Sequence, residues 1–515
     1  MNAQRRFVRK MSYLGAIAVL LLVLPFLSQP GSNRDDASQG GKLARMRAEH
    51  RLSQADLGNV DPTSATMRFA TFGLHGLAAN RLWVKAHDAK ARENWTDFDA
   101  VLEQIANFQP NFVEVWKYQA WNVAYNLPVR FDDYRDRYDY VIRGLKFLER
   151  GIGYNDRATT LPRDLAWMIG HKIGQSDERR AFRRLFMEDD EYHEPSPDND
   201  WLAGTAYKDL RQRDIRDCWK LRYWWYRRIE ERFDNGKLDK PRHSEALFYQ
   251  DAPHSLIEYA LALVEEGKFG DEAKRAWTAA AEAWEKYGDR PIKMSYGYRM
   301  RLLDFDVYRR QAVELLDELH ELEPTWRPQL LKDRKPAATE EQLALLEKPW
   351  QDCDRNERTK KYDFMIRLYA NPRVLLDDLD EERRAQVLPV MDRYDLTLDR
   401  VQMIRNSREL VAYESWQVRC EVERQTKTIE ARKALYEGDA AMRKAQLSKA
   451  LEYYEEGLAL WKEVLDEYPV LLEDWSMTDD LVDVIDNYRE ILAQNDQPFP
   501  EPFVLQMVLD KQESP

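Results

Sequence analysis

The longest uninterrupted apolar stretch is Met11 to Leu27, MSYLGAIAVLLLVLPFL, which holds no charged residue and follows Arg5, Arg6, Arg9 and Lys10. As a helix rising ~1.5 Å per residue it spans roughly 25 Å, slightly less than the roughly 30 Å of a bilayer's hydrocarbon core. Tyr13 and Phe26 are placed for the two interfaces. Positive charge stays on the cytoplasmic side. The pattern therefore predicts a basic cytoplasmic stub at 1–10, a transmembrane signal-anchor at 11–28, and the bulk of the chain outside the cytoplasm, periplasmic in a bacterium. A cleaved secretory signal is the alternative. Its apolar region is shorter and ends at a small-x-small site, which Phe26-Leu27-Ser28-Gln29-Pro30 lacks.

Residues 29–60 are polar and rich in Gly, Ser, Asp and Arg, which predicts a flexible linker. Asp61-Pro62 then reads as a helix start, a capping carboxylate followed by proline at the first helical position. Met67, Phe69, Leu74, Leu77, Leu82 and Trp83 mark that helix to about Arg92, with Gly73, Gly76 and Ala79 on one face where a neighbour can approach closely. Phe98, Leu102 and Ile105 mark the next, which Pro110 stops. Tyr134, Tyr138, Val141 and Leu145 form the stripe of a third. After Phe305 the helices lengthen: Ala312–Leu322 ends at Pro324, another begins at Thr339, and Asn371-Pro372 interrupts again. From Thr397 to Gln446, Val401, Ile404, Val411, Val418, Val422, Ile429 and Tyr436 keep a period near 3.5. Unbroken, that helix would reach roughly 70 Å. Arg408 and Gln425 intrude at core positions, which favours an intrachain hairpin, with Leu447–Glu467 as second arm, over a long dimeric coil.

The segment around Pro110 is similar to the tetratricopeptide repeat (TPR), a pair of antiparallel helices of about 34 residues. Pro110 stands at the closing proline, Trp116 at the opening tryptophan and Ala120 at the small position of the following unit, whereas Gln119 and Val123 depart from the pattern. Ala260, Gly267-Lys268-Phe269, Ala273, Trp277 and Ala280 resemble a second unit, with Gly270 as one residue too many in the turn. Gly438, Ala450, Tyr454 and Gly457 resemble a third, and Gly170 in LAWMIGHKI fits the small position of another. The resemblance implies an all-α, TPR-like α-solenoid over 61–330, in which small residues let paired helices approach and most aromatics fill the gaps between pairs. Residues 331–515 are expected to form a C-terminal helical region with the long hairpin and an acidic tail. Repeats of this kind imply an interaction module.

Composition sharpens this in two ways. The net charge of -13 is concentrated at the C-terminus, where residues 451–515 carry 17 acidic and 3 basic side chains, so the rest of the chain is close to neutral. That balance argues against nucleic acid as a partner, which demands a basic footprint. The three cysteines, Cys218, Cys353 and Cys420, are scattered and form neither a disulfide framework nor a thiolate metal site.

Candidate chemistry is sparse. No HExxH, GxSxG or P-loop signature occurs, and GLHG at 73–76 follows no predicted strand, so no catalytic residue, cofactor or metal is expected. Glu188 to Asp200, EDDEYHEPSPDND, is expected as an exposed linker; its carboxylates and His193 could hold a hard cation, but at no calcium-loop spacing. The stretch 209–233 interleaves basic and aromatic residues. A buried wedge flanked by ion pairs is the favoured account; Arg216, Trp219, Arg222, Tyr223, Trp224 and Arg227 form the stretch's candidate binding patch, for single-stranded nucleic acid or a glycan chain by phosphate contact or ring stacking. The expected function is a membrane-anchored, extracytoplasmic scaffold that binds proteins or envelope components, with a glycan-binding or glycan-active protein as the second reading and a coiled-coil oligomer as the third.

Overall fold

The computed structural model describes residues 7–8, 10–19, 75–92, 94–193, 215–241, 243–294, 297–334 and 338–513. Residues 11–19 are helical and exposed, whereas 20–28 of the expected anchor, the linker, the start of the helix expected at Asp61, and 194–214 lie outside this set. Among the described residues no helix is long and apolar enough to cross a membrane. The described residues are all-α apart from one hairpin of two-residue strands, and the contacts divide the chain at Pro241, inside the expected repeat region, into two compact units.

From His75 onward the first unit pairs α1 (His75–Ala91) with α2 (Trp95–Phe108), whose N-cap Asn94 accepts the backbone N–H of Asp97. Two further helix pairs follow. α3 (Val113–Trp121), prolonged by a π-helical turn at Asn122–Asn126, packs on α4 (Tyr134–Tyr154); α5 (Thr160–Met168), prolonged by a π-turn at Ile169–Gly174, packs on α8 (Cys218–Asp234). Between α5 and α8 lie α6 (Arg179–Glu188) and the short α7 (Asp190–His193). α3 touches α5, and α4 touches α5, so the second pair stacks on the first.

Small residues sit where helices come closest. A Cβ at Gly144 of α4 would lie 2.7 Å from the Cβ of Ala124 and 2.9 Å from the carbonyl of Ala120, and one at Gly151 would lie 2.7 Å from the ring of Trp116. Trp116, the expected opening tryptophan, is fully buried. Glycine on α4 thus lets the two backbones approach until this indole fills the gap.

The second unit pairs α9 (Glu245–Glu265) with α10 (Asp271–Gly288) and buries Ala260, Ala273, Trp277 and Ala280, the positions read as repeat-like. The turn between them uses Gly267 and Gly270 at φ 76° and 67°. β1 (Ile292–Lys293) pairs antiparallel with β2 (Arg299–Met300). α11 (Phe305–Leu322) then packs on α14 (Arg355–Leu368) and α15 (Glu381–Leu410) around Leu316, Phe364, Val390 and Tyr394, with α12 (Trp326–Arg334) and α13 (Glu340–Glu347) at the side.

The single helix expected over 397–446 is three. α15 ends at Leu410, where Ala412 turns left-handed at φ 47°; α16 (Tyr413–Glu423) follows, and Gln425 opens α17 (Thr426–Met442). The apolar spacing was sound, since Val401, Ile404, Val411, Val422 and Ile429 are buried. The polar intruders mark departures from a continuous seam: Arg408 donates to the carbonyl of Leu302, and Gln425 lies in the second break. The hairpin is therefore shorter, α17 against α18 (Leu447–Glu467), with Gly438 under Tyr454 and Gly457 under Leu435. The expected acidic tail folds as α19 (Trp475–Gln494) and α20 (Gln506–Glu513) and adds Ile485, Ile491 and Val508 to the core around Trp461.

Candidate ligand-binding surface

The six residues of the stretch 209–233 do not form one exposed patch. Trp219 is 1% exposed and lies against Gly170 and Gly174 of the α5 π-turn, which is the wedge role. The indole of Trp224 is half-buried, edge-on to Trp225. Arg216 pairs with Asp190 at 2.6 Å, and Arg227 pairs with Glu230. Tyr223 is half-buried, and burial raises its pKa. Arg222 lays its guanidinium over the rings of Trp219 and Tyr226, at 5.3 and 5.5 Å. The periodicity of α8 explains this: Trp219, Tyr226 and, one position round, Trp225 fall on its buried side.

The expected exposed loop at 188–200 is also corrected over its described part. Tyr192 and His193 are buried: Tyr192 donates its hydroxyl to Glu149 of α4 at 3.0 Å, and the His193 ring bonds the carbonyl of Phe186 at 2.8 Å. Burial pushes Glu149 up to about 7. Three aromatic rings, Phe186, Tyr192 and His193, pack together here and draw the short α7 inward. Among the described residues no cluster of potential metal ligands occurs.

Two exposed indoles lie instead on α3 and α5. Trp121 stacks on Tyr125 with centroids 3.9 Å apart and planes 2° from parallel, and Trp167 stacks on His171 at 4.5 Å and 16°. The two stacks stand side by side, Trp121 being 5.9 Å from Trp167 and Tyr125 5.7 Å from His171. Trp121 remains 44% exposed and Trp167 39%. With one face of each indole covered by its stacking partner, that exposure belongs to the outer faces and edges.

The lower deck is tied together. The Tyr125 hydroxyl and His171 Nδ1 are 2.9 Å apart, with donor and acceptor set by the imidazole tautomer. Burial, then the charges of Lys172 and Arg222, hold His171 below its ordinary pKa, so it is neutral at pH 7. Lys172 rests its ammonium 4.2 Å from the Tyr125 ring centre, and burial lowers its pKa. One turn before the indoles, Lys117 of α3 bridges to Asp164 of α5 at 3.4 Å and to Glu114 at 3.8 Å. Burial raises the pKa of Asp164 against the opposing pull of Lys117.

This surface was missed in the sequence because the aromatics were assigned to the core as a class. A signal was present. Tyr125 and His171 are 46 residues apart, and the same offset relates Trp121 to Trp167, Ala120 to Ala166, and Ala124 to Gly170. Both equivalent segments end in π-turns, a feature common at functional sites. The arrangement offers a flat apolar floor with paired charges at its edge. Comparison with protein families, with curated proteins and with solved structures finds no match, so the reading of this surface stands on the chain's own residues.

Proposed function

We propose that the chain is a helical-repeat scaffold, a degenerate TPR-like α-solenoid anchored by residues 11–28 and held outside the cytoplasm, which binds proteins or envelope components. The face that does so is that of α3 and α5 carrying Trp121 and Trp167. The observation that supports this most is the pair of large indoles left open on equivalent positions of consecutive, stacked helix pairs. Soluble chains seldom leave large aromatic faces in water without a use for them, and Trp is enriched where binding energy concentrates. The stacking of successive pairs through small residues supports the repeat reading, and the basic flank of the apolar N-terminal run supports the orientation.

Co-purification from native membranes tests the face. The wild-type chain is expected to retain a partner or envelope component that Trp121→Ala and Trp167→Ala each lose at unchanged melting temperature; retention by both variants contradicts the assignment. Alkaline phosphatase fused after residue 60 is expected to be active, and an inactive fusion would reverse the topology.

A further inference from the structure

We propose that the aromatic floor of α3 and α5 binds a saccharide chain, a pyranose laying its C–H face on the open indole of Trp121 or Trp167. This rests on the reading of that face as the binding surface and names its ligand class. The first argument is shape. Each indole is covered on one side by Tyr125 or His171, at 3.9 and 4.5 Å, and is open on the other. The two ring centres lie 5.9 Å apart with their planes within 10° of parallel, so the exposed apolar surfaces of the two indoles adjoin. A pyranose has the complementary form, with a flat face of C–H bonds and a rim of hydroxyls.

The second argument is charge. Lys117 is held between Glu114 and Asp164, so the edge of the floor carries donors and acceptors side by side with little net demand for a charged ligand. A hydroxyl rim can bond to both signs at once. The cations on the other side of the floor are turned against rings, Lys172 on Tyr125 and Arg222 on Trp219, and His171 is neutral. An anionic ligand would find its counter-charges already engaged with aromatic faces.

The third argument separates a saccharide from a protein partner. The core of a protein interface is depleted of charged residues and wants aliphatic neighbours around its aromatic anchors. Here Glu114, Lys117, Arg163 and Asp164 lie one to two turns before the indoles on α3 and α5, beside the exposed Tyr118. Charged residues rimming a bare aromatic strip suit a polyol better than a folded surface.

The test uses the purified full chain and four hexasaccharides: β-1,4-glucose, α-1,4-glucose, β-1,4-mannose and β-1,4-N-acetylglucosamine. At least one is expected to bind by calorimetry, and saturation-transfer NMR should show the strongest transfer to its ring C–H protons. Trp121→Ala and Trp167→Ala should each weaken it about tenfold or more. Trp167→Tyr, which keeps a ring, should retain most of the affinity, and Trp83→Ala on α1 should leave it unchanged. Binding by none of the four, or binding that survives both alanine substitutions, overturns the saccharide assignment. If none binds while a protein partner co-purifies with the wild type and is lost from Trp121→Ala and Trp167→Ala, the surface stands and only the ligand class falls. If the substitutions affect neither, both fall.

Discussion

The indole N–H of Trp116 donates to the carbonyl oxygen of Pro110 at 2.8 Å. The carboxamide of Asn155 donates to the same oxygen, also at 2.8 Å, and to the carbonyl of Gly151. One carbonyl therefore ties the end of α2 to α3 and to the end of α4, and the ring that reaches it fills the space left by Gly151. Trp116→Ala is expected to cost about 3–5 kcal/mol, the range for deleting a large buried aromatic. Gly151→Ala, which pushes a methyl into the indole, should cost about 1–3 kcal/mol. Denaturant unfolding of each variant against wild type checks both, and near-neutral values would remove Trp116 from the core.

Trp219 and Trp121 make a contrasting pair. Trp219 is the wedge over Gly170 and Gly174, so Trp219→Ala should destabilise by about 3–5 kcal/mol. Trp121→Ala, at a half-open position, loses mainly its stack on Tyr125 and should cost only about 0.5–1.5 kcal/mol. Differential scanning calorimetry decides; equal effects would mean that Trp121 is as enclosed as Trp219.

Glu149 gives a pH dependence with a definite sign. Its ordinary value of 4.5 is raised to about 7 in the folded chain, mainly by burial. The folded state then holds a proton that the unfolded state releases, so this group's contribution is fully present below pH 4.5 and is lost as pH rises through about 7. Glu149→Gln, which cannot ionise, should gain stability relative to wild type between pH 5 and pH 8. Paired thermal melts at the two pH values test this, and a pH-independent difference would contradict it.

The carboxylate of Glu423, fully buried at the end of α16, takes both Nε and a terminal nitrogen of Arg432 from α17. Removing one partner leaves a buried charge without its mate, so Glu423→Gln should cost about 3–5 kcal/mol. Replacing both with apolar residues of similar volume should cost much less. A double-mutant cycle on melting free energies reads the coupling; additivity of the two single changes would show that the pair is not coupled.

What was legible in the sequence is the part written in side-chain size and spacing. Pro110, Trp116, Ala120 and Gly170 are buried where helices pack closely, because small residues and large rings alternate at close helix contacts. The breaks at Ala412 and Gln425 carry neither glycine nor proline, so an alanine at φ 47° leaves no local mark and the apolar period runs through it. The open floor was hidden for another reason. Hydrophobicity does not distinguish a ring that fills a core from one that waits at the surface. Arg222, expected in the candidate patch of 209–233, instead lies over the buried Trp219.

Hydroxyl-radical footprinting, on the purified full chain and on the same chain in native membranes, tests most directly whether the face of α3 and α5 is where this protein meets its ligand. Trp121 and Trp167 are expected to oxidise readily when purified and to become protected in membranes, with Trp116 and Trp219 protected in both. Oxidation of Trp121 and Trp167 to the same extent in both preparations, or their protection in the purified chain, would contradict the account.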